Sequence, residues 1–204
     1  MTTYAQLQSD IATWLDRDDL ATLIPTFIRI GEQEIYRKLR IIEMEEISYT
    51  PLSTISQYYD LPPRFIAARN IYIDTSPNKK LGYVTPEQMS LTTPSNNSNS
   101  SPTQYTIVDG KFKLDIILAA STNNLFISYY RKFAELSASN TTNWLLDNAY
   151  ALLLYGGILS SEIYLYNDER IPLIRTEFER IIDELNEQAV EGRHSGGSLM
   201  IRAT

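Results

Sequence analysis

"NWLLDNAYALLLYGGILSSEIYLY", Asn143–Tyr166, is the stretch on which the fold turns. Its apolar residues run nearly all the way round a helical spiral, so it predicts a buried central helix rather than a surface one. Gly156, Gly157, Ser160, Ser161 and Glu162 interrupt its most apolar part, Ala149–Leu165, which makes it too polar for a membrane span. The small residues Ala149, Gly156, Gly157 and Ser160 would let another helix approach closely.

The flanking sequence supplies the partners. "YNDERIP", Tyr166–Pro172, reads as a turn and helix start, with Asp168 as the cap. Ile171, Ile174, Phe178, Ile181, Ile182 and Leu185 then form one apolar stripe, and Gly192 predicts the stop. At the other end of the chain, Tyr4, Leu7, Ile11, Trp14 and Leu15 recur at helical spacing. "DRDD", Asp16–Asp19, offers turn and capping carboxylates, and Pro25 suits the first turn of a second helix. Phe27, Ile28, Gly31, Ile35 and Leu39 mark one face of that helix. Arg29, Glu32, Glu34, Lys38 and Arg40 are assigned mostly to the other. Arg37, Lys38 and Arg40 gather where they suit the negative end of the helix dipole.

Between these helical ends the periodicity changes. "ISYTPL", "QYYDLP", "NIYID", "KLGYV", "QYTIV", "KFKLDIIL" and "NLFISYY" are short, rich in β-branched and aromatic residues, and separated by Pro, Gly and Asn. They predict an antiparallel sheet. "VDGK", Val108–Lys111, places an Asp-Gly turn pair between two of these runs and predicts a hairpin. "TTPSNNSNSSPT", Thr92–Thr103, is a low-complexity polar loop expected to be exposed. The fold class is therefore α+β: a helical bundle built from both chain ends, residues 1–46 and 136–191. An antiparallel β-rich insertion, 47–135, lies between them, and an extended C-terminal arm, 192–204, follows.

The 204 residues carry 25 acidic and 18 basic side chains, a net charge of −7. That argues against a general DNA-binding surface, which needs a basic footprint. With no cysteine, disulfides and thiolate metal sites are excluded. The polar, amphipathic start "MTTYAQLQSDIATW" does not read as a signal peptide. Fourteen tyrosines suit surfaces that are apolar in body and wet at one end, subunit interfaces among them.

Catalytic readings are weak. His194 is the one histidine, and it sits in the tail without rigid support, where a general base cannot be held in place. "SGGS", Ser195–Ser198, lacks the lysine and following helix of a phosphate loop. "EMEE", Glu43–Glu46, and "DRDD" read as solvated turns and caps rather than metal or acid–base sites. No catalytic, cofactor or metal residue is assigned, and the chain is not expected to be an enzyme. Two charge features stand out instead. Asp168–Glu191 holds eight acids against three bases, and the tail after it carries Arg193 and Arg202 with no acidic side chain. The tail also holds the apolar triplet Leu199-Met200-Ile201. An arm of this composition gains order only on a partner, at a cost that apolar anchors and linked copies offset.

Three segments together resemble the head-to-tail adaptor (connector) proteins of tailed bacteriophages, the short-tailed kind especially. They are "IATWLDRDDLATLIPTFIRIGEQEIYRKLRIIEME" (Ile11–Glu45), "QYYDLPPRFIAARNIYI" (Gln57–Ile73) and "AYALLLYGGILSSEIYLYNDERIPLIRTEFERIIDELNEQAVEGRHSGGSLMIR" (Ala149–Arg202). The shared features are an Arg-Asp-Asp-Leu turn, a Pro-x-Phe-Ile helix entry, a Tyr-x-Leu-Pro strand end, a paired helix unit and a Gly-rich apolar tail.

The resemblance implies a virion protein, made in the host cytoplasm, that forms a ring, typically dodecameric, between the portal and the tail. Its partners would be the portal protein and tail nozzle or tail fibre proteins, with no cofactor and no membrane. DNA would pass through its channel without specific binding. The implied portal-binding residues are Arg193, His194, Leu199, Met200, Ile201 and Arg202, and the acidic helix would line the channel. The alternative is another neck or tail component, a tail-completion or tail-terminator protein that binds tail proteins only.

Overall fold

The computed structural model of the chain describes residues 2–92, 101–117, 123–165 and 168–194. The chain divides into two compact units: Met1–Met44 with Lys132–Thr204, and Glu45–Arg131. The mixture of helix and sheet is α+β, as the alternation of periodicities predicts.

In the first unit the apolar centre of the sequence is helix α5, Tyr150–Ser160, which buries Leu152, Leu153, Leu154, Gly156, Gly157 and Ile158. It packs against α1 (Tyr4–Leu15), α2 (Ile24–Lys38) and α6 (Ile171–His194). Close packing rests on glycines. A Cβ on Gly31 of α2 would lie 2.6 Å from the carbonyl carbon of Gly156, and one on Gly157 would lie 2.6 Å from Ile11 Cδ1 of α1. A side chain at Gly31 would hold two backbones apart, and one at Gly157 would displace the end of Ile11.

The expected single helix over this stretch is two. Trp144–Asn148 forms α4, capped by Asn143, whose Oδ1 accepts from the Leu146 N–H at 3.0 Å. The chain then breaks at Ala149 (φ −135°, ψ 45°) before α5 begins. The helix also ends at Ser160. The hydroxyls of Ser160 and Ser161 donate back to the carbonyls of Gly156 and Ile158, both at 2.7 Å. Such bonds to the last carbonyls take the place of further helical turns.

Helix α6 corrects a second expectation. It does not stop at Gly192 but continues to His194. A mid-helix glycine costs about 1 kcal/mol relative to alanine. Here its missing side chain admits Ile42, whose Cδ1 would sit 3.2 Å from a Cβ at that position. The buried stripe is Ile171, Ile174, Phe178, Ile182 and Ala189. Asp168, the expected cap, lies three residues ahead of the helix, in the turn that leads into it, where its Oδ1 accepts from the Arg170 N–H at 2.9 Å.

The second unit is built from β1 (Glu45–Pro51), β2 (Tyr58–Asp60), β3 (Phe65–Ile73), β4 (Lys79–Lys80), β5 (Gly82–Tyr83), β6 (Gln104–Val108), β7 (Lys111–Leu114) and β8 (Asn124–Arg131). These strands form two four-stranded sheets, ordered β1-β8-β3-β4 and β2-β7-β6-β5, rather than one antiparallel sheet. The β5–β6 pair is parallel.

Parallel neighbours need a crossover. Part of it is helix α3, Pro86–Thr92, which the sequence reading missed. Its signature is the capping box Thr85-x-x-Gln88: the Gln88 N–H donates to Thr85 Oγ1 and the Thr85 N–H to Gln88 Oε1. The Asp109–Gly110 hairpin stands as predicted, with both residues at positive φ (52° and 66°). Strand β7 ends at Leu114, short of the predicted "DIIL", because Asp115 is turned inward. Its two carboxylate oxygens accept from the Thr103 N–H at 3.1 and 3.2 Å, and one also from the Thr103 hydroxyl at 2.7 Å. The core of the unit includes Ile71, Ile73, Phe112, Leu114, Leu125 and Ile127. Most of the polar loop expected to be exposed, 93–100, lies outside the described residues.

Candidate interaction surfaces

The acidic segment of α6 keeps its apolar stripe inward, so its charges face solvent. Each arginine of the segment is already engaged. Arg170 pairs with Asp168 at 2.8 Å, Arg175 with Glu162 at 2.5 Å, and Arg180 with both Glu177 (2.7 Å) and Glu184. Lys38 of α2 reaches Glu179 at 3.5 Å. The Arg170 guanidinium holds the Asp168 carboxyl below its ordinary range. Among the described residues, no basic group stands in ion-pair distance of Asp183, Glu187 or Glu191, all exposed. Exposed pairs of this kind add little stability. What survives the pairing is an acidic surface along the C-terminal half of the helix.

That surface leads to the predicted arm. Arg193 and His194 form the end of α6 rather than the start of an extended segment. Leu199, Met200, Ile201 and Arg202 lie outside the described residues. Beside the end of α6 is a cavity of about 240 Å³, lined by Ile41, Ile42, Trp144, Leu185 and Ala189 together with Glu43 and Gln188.

One acid expected on a polar face is buried instead. Glu32, assigned to the polar side of α2, is only 2% exposed. The signal was present: Glu32 falls four residues after Ile28 and three before Ile35, on the apolar stripe. Its Oε1 accepts from Asn143 Nδ2 at 3.2 Å, and the same nitrogen donates to the Ala134 carbonyl at 3.0 Å. Burial pushes the Glu32 carboxyl up to about 7. The bonds from Asn143 and the Leu136 backbone pull the other way, and nearby Glu135 adds to the rise. A cavity of about 480 Å³ adjoins it, lined by Tyr4, Gln8, Arg29, Glu135 and Ser137 among others. Among the described residues, no group of three or more His, Asp or Glu side chains is placed to hold a metal ion. Nor is any described helix long and apolar enough to cross a membrane.

In the second unit, the sheet face opposite the core carries an aromatic row. Tyr49, Phe126 and Tyr72 are cross-strand neighbours on β1, β8 and β3. Their rings meet edge-on at 4.6 Å (Tyr49–Phe126) and stacked at 4.1 Å (Tyr72–Phe126). Tyr49 is 61% exposed and Ile47, two residues earlier on the same face, 53%. The high tyrosine count hinted at such a surface without placing it.

A family model described as SU10 adaptor protein matches residues 2–202. No curated protein matches the chain.

Proposed function

This chain belongs to the SU10 adaptor protein family, and from that premise we propose that it is a structural virion protein joining the portal at the capsid vertex to the tail. In this reading the chain is not an enzyme. It forms a ring on the portal, extends the DNA channel, and offers tail proteins a platform. The match over residues 2–202 carries the reading, because it spans both units and reaches into the arm.

The charge distribution supports it. A channel through which DNA slides must not neutralise phosphates, since each neutralised phosphate releases counterions and strengthens binding. Asp183, Glu187 and Glu191 give α6 an acidic face suited to that role. The segment beyond α6 reverses the charge with Arg202 and adds Leu199, Met200 and Ile201 as apolar anchors. It is the proposed portal-docking arm, with Arg193 and His194 at its root. A ring of copies would multiply the contribution of each short arm.

The test is capture by purified portal of the full chain and of a chain truncated after His194, which keeps all of α6. The full chain should bind and the truncated chain should not, with both folded. Equal binding by the truncated chain would remove the arm from the account.

A further inference from the structure

A strand with one face on a core usually turns polar residues to water on the other. The sheet β1-β8-β3-β4 departs from this. Its inward positions, Ile71, Ile73, Leu125 and Ile127, fill the core of the unit. Yet beside Ser128 and Asn70 its outward positions carry Ile47 and Tyr49 on β1, Phe126 (itself 9% exposed) on β8 and Tyr72 on β3. The strip is widest open at the sheet's edge, because β1 is the terminal strand and Ile47 and Tyr49 are its most exposed apolar residues. Open apolar groups on an edge strand promote association, and contiguous apolar patches mark interaction sites.

Charge indicates the occupant. Of the 25 acidic and 18 basic side chains, seven of each lie in residues 45–131. The remaining 18 and 11 put the whole net charge of −7 on the helical unit. Two copies meeting through helical units would bring like charges together. Two copies meeting through neutral units escape that repulsion. We propose that the strip Ile47–Tyr49–Phe126–Tyr72 is a contact surface for a second copy of this chain. The assignment rests on the ring reading above and names the surface that holds neighbours together.

The chain has no cysteine, so Ser128→Cys, opposite Ile47 on the same face, creates a unique thiol for a short photo-cross-linker and leaves the strip itself intact. The labelled full chain is illuminated across a concentration series, alone and with purified portal. A cross-linked species of twice the chain mass is expected in at least one setting. Adding Ile47→Ser should lower its yield at fixed concentration roughly tenfold, the order of effect of removing a well-packed interface contact. Ile47 is exposed and Ser128 lies on the outward face, so the variants should keep the parent's circular dichroism and melting temperature.

Cross-links only to portal, or none to a second copy in either setting, would overturn the proposal. So would a yield that Ile47→Ser leaves unchanged. Portal binding without self-cross-links would remove this surface and leave the adaptor reading intact. Self-cross-links without portal binding would do the reverse.

Discussion

Gly31 of α2 and Gly156 of α5 face each other so closely that a Cβ on Gly31 would lie 2.6 Å from the Gly156 carbonyl carbon and 2.8 Å from its oxygen. Both obstructing atoms belong to the backbone, so no rotamer change can make room. Gly31→Ala gains about 1 kcal/mol of helix propensity. It must also push two buried helices apart, and overpacking of this kind costs about 1–3 kcal/mol or more. Net destabilisation is expected, read as a lower denaturation midpoint at unchanged m-value.

Gly157→Ala and Gly192→Ala separate the steric cause from the propensity. At Gly157 the obstacle is Ile11 Cδ1 at 2.6 Å, and at Gly192 it is Ile42 Cδ1 at 3.2 Å, both ends of flexible side chains. Gly157→Ala should cost less than Gly31→Ala. Gly192→Ala should be neutral or stabilising by up to about 1 kcal/mol, since α6 already runs through that position. Thermal melts of the three variants give the ranking.

Glu32 predicts a pH dependence of stability. Its folded carboxyl titrates at about 7 against an ordinary value of 4.5. Below pH 4.5 it is protonated in both states and adds no pH dependence. Between 4.5 and 7 the unfolded chain loses the proton while the folded chain keeps it, so stability falls as pH rises. Above 7 the loss levels off at roughly 3 kcal/mol. Glu32→Gln has no proton to lose. Its stability relative to the parent should therefore rise with pH through this window. Parallel pH profiles for the two chains would contradict the assignment.

The exposed ion pairs of α6 are expected to matter little for folding. Arg180→Ala removes the contacts with both Glu177 and Glu184, and should change stability by less than about 1 kcal/mol. Its larger effect is to leave the helix more acidic. Asp183→Lys with Glu187→Lys should instead raise the chain's affinity for duplex DNA in a salt-dependent way, measured by anisotropy at two ionic strengths. No change in DNA binding would weaken the channel-lining role given to this face.

Where periodicity and turn chemistry act locally, the sequence was sufficient. The stripe Ile171–Ile174–Phe178–Ile182, the Asp109–Gly110 turn, the Pro25 helix entry and the Asn143 region all follow from residue spacing alone. The small residues of Asn143–Tyr166 announced close packing, and Gly31 and Gly156 realise it. The misses have tertiary causes. The break at Ala149 leaves the apolar pattern uninterrupted, so periodicity does not register it. The division of the strands into two sheets depends on long-range pairing and on the α3 crossover. The charge of Glu32 points to solvent, whereas its spacing points inside, and the spacing prevails. The predicted site was legible only as a reversal of charge and an apolar triplet. Its root, Arg193 and His194, proved helical, and the aromatic strip around Tyr49 emerged only once β1, β8 and β3 were in register.

Whether copies of this chain join portal to tail as a ring is decided by mass. Native mass spectrometry of purified portal, alone and mixed with the full chain, counts the copies that bind. A single saturated complex is expected, in which a closed ring of twelve copies is added to the portal. A portal whose mass is unchanged by excess folded chain would contradict it.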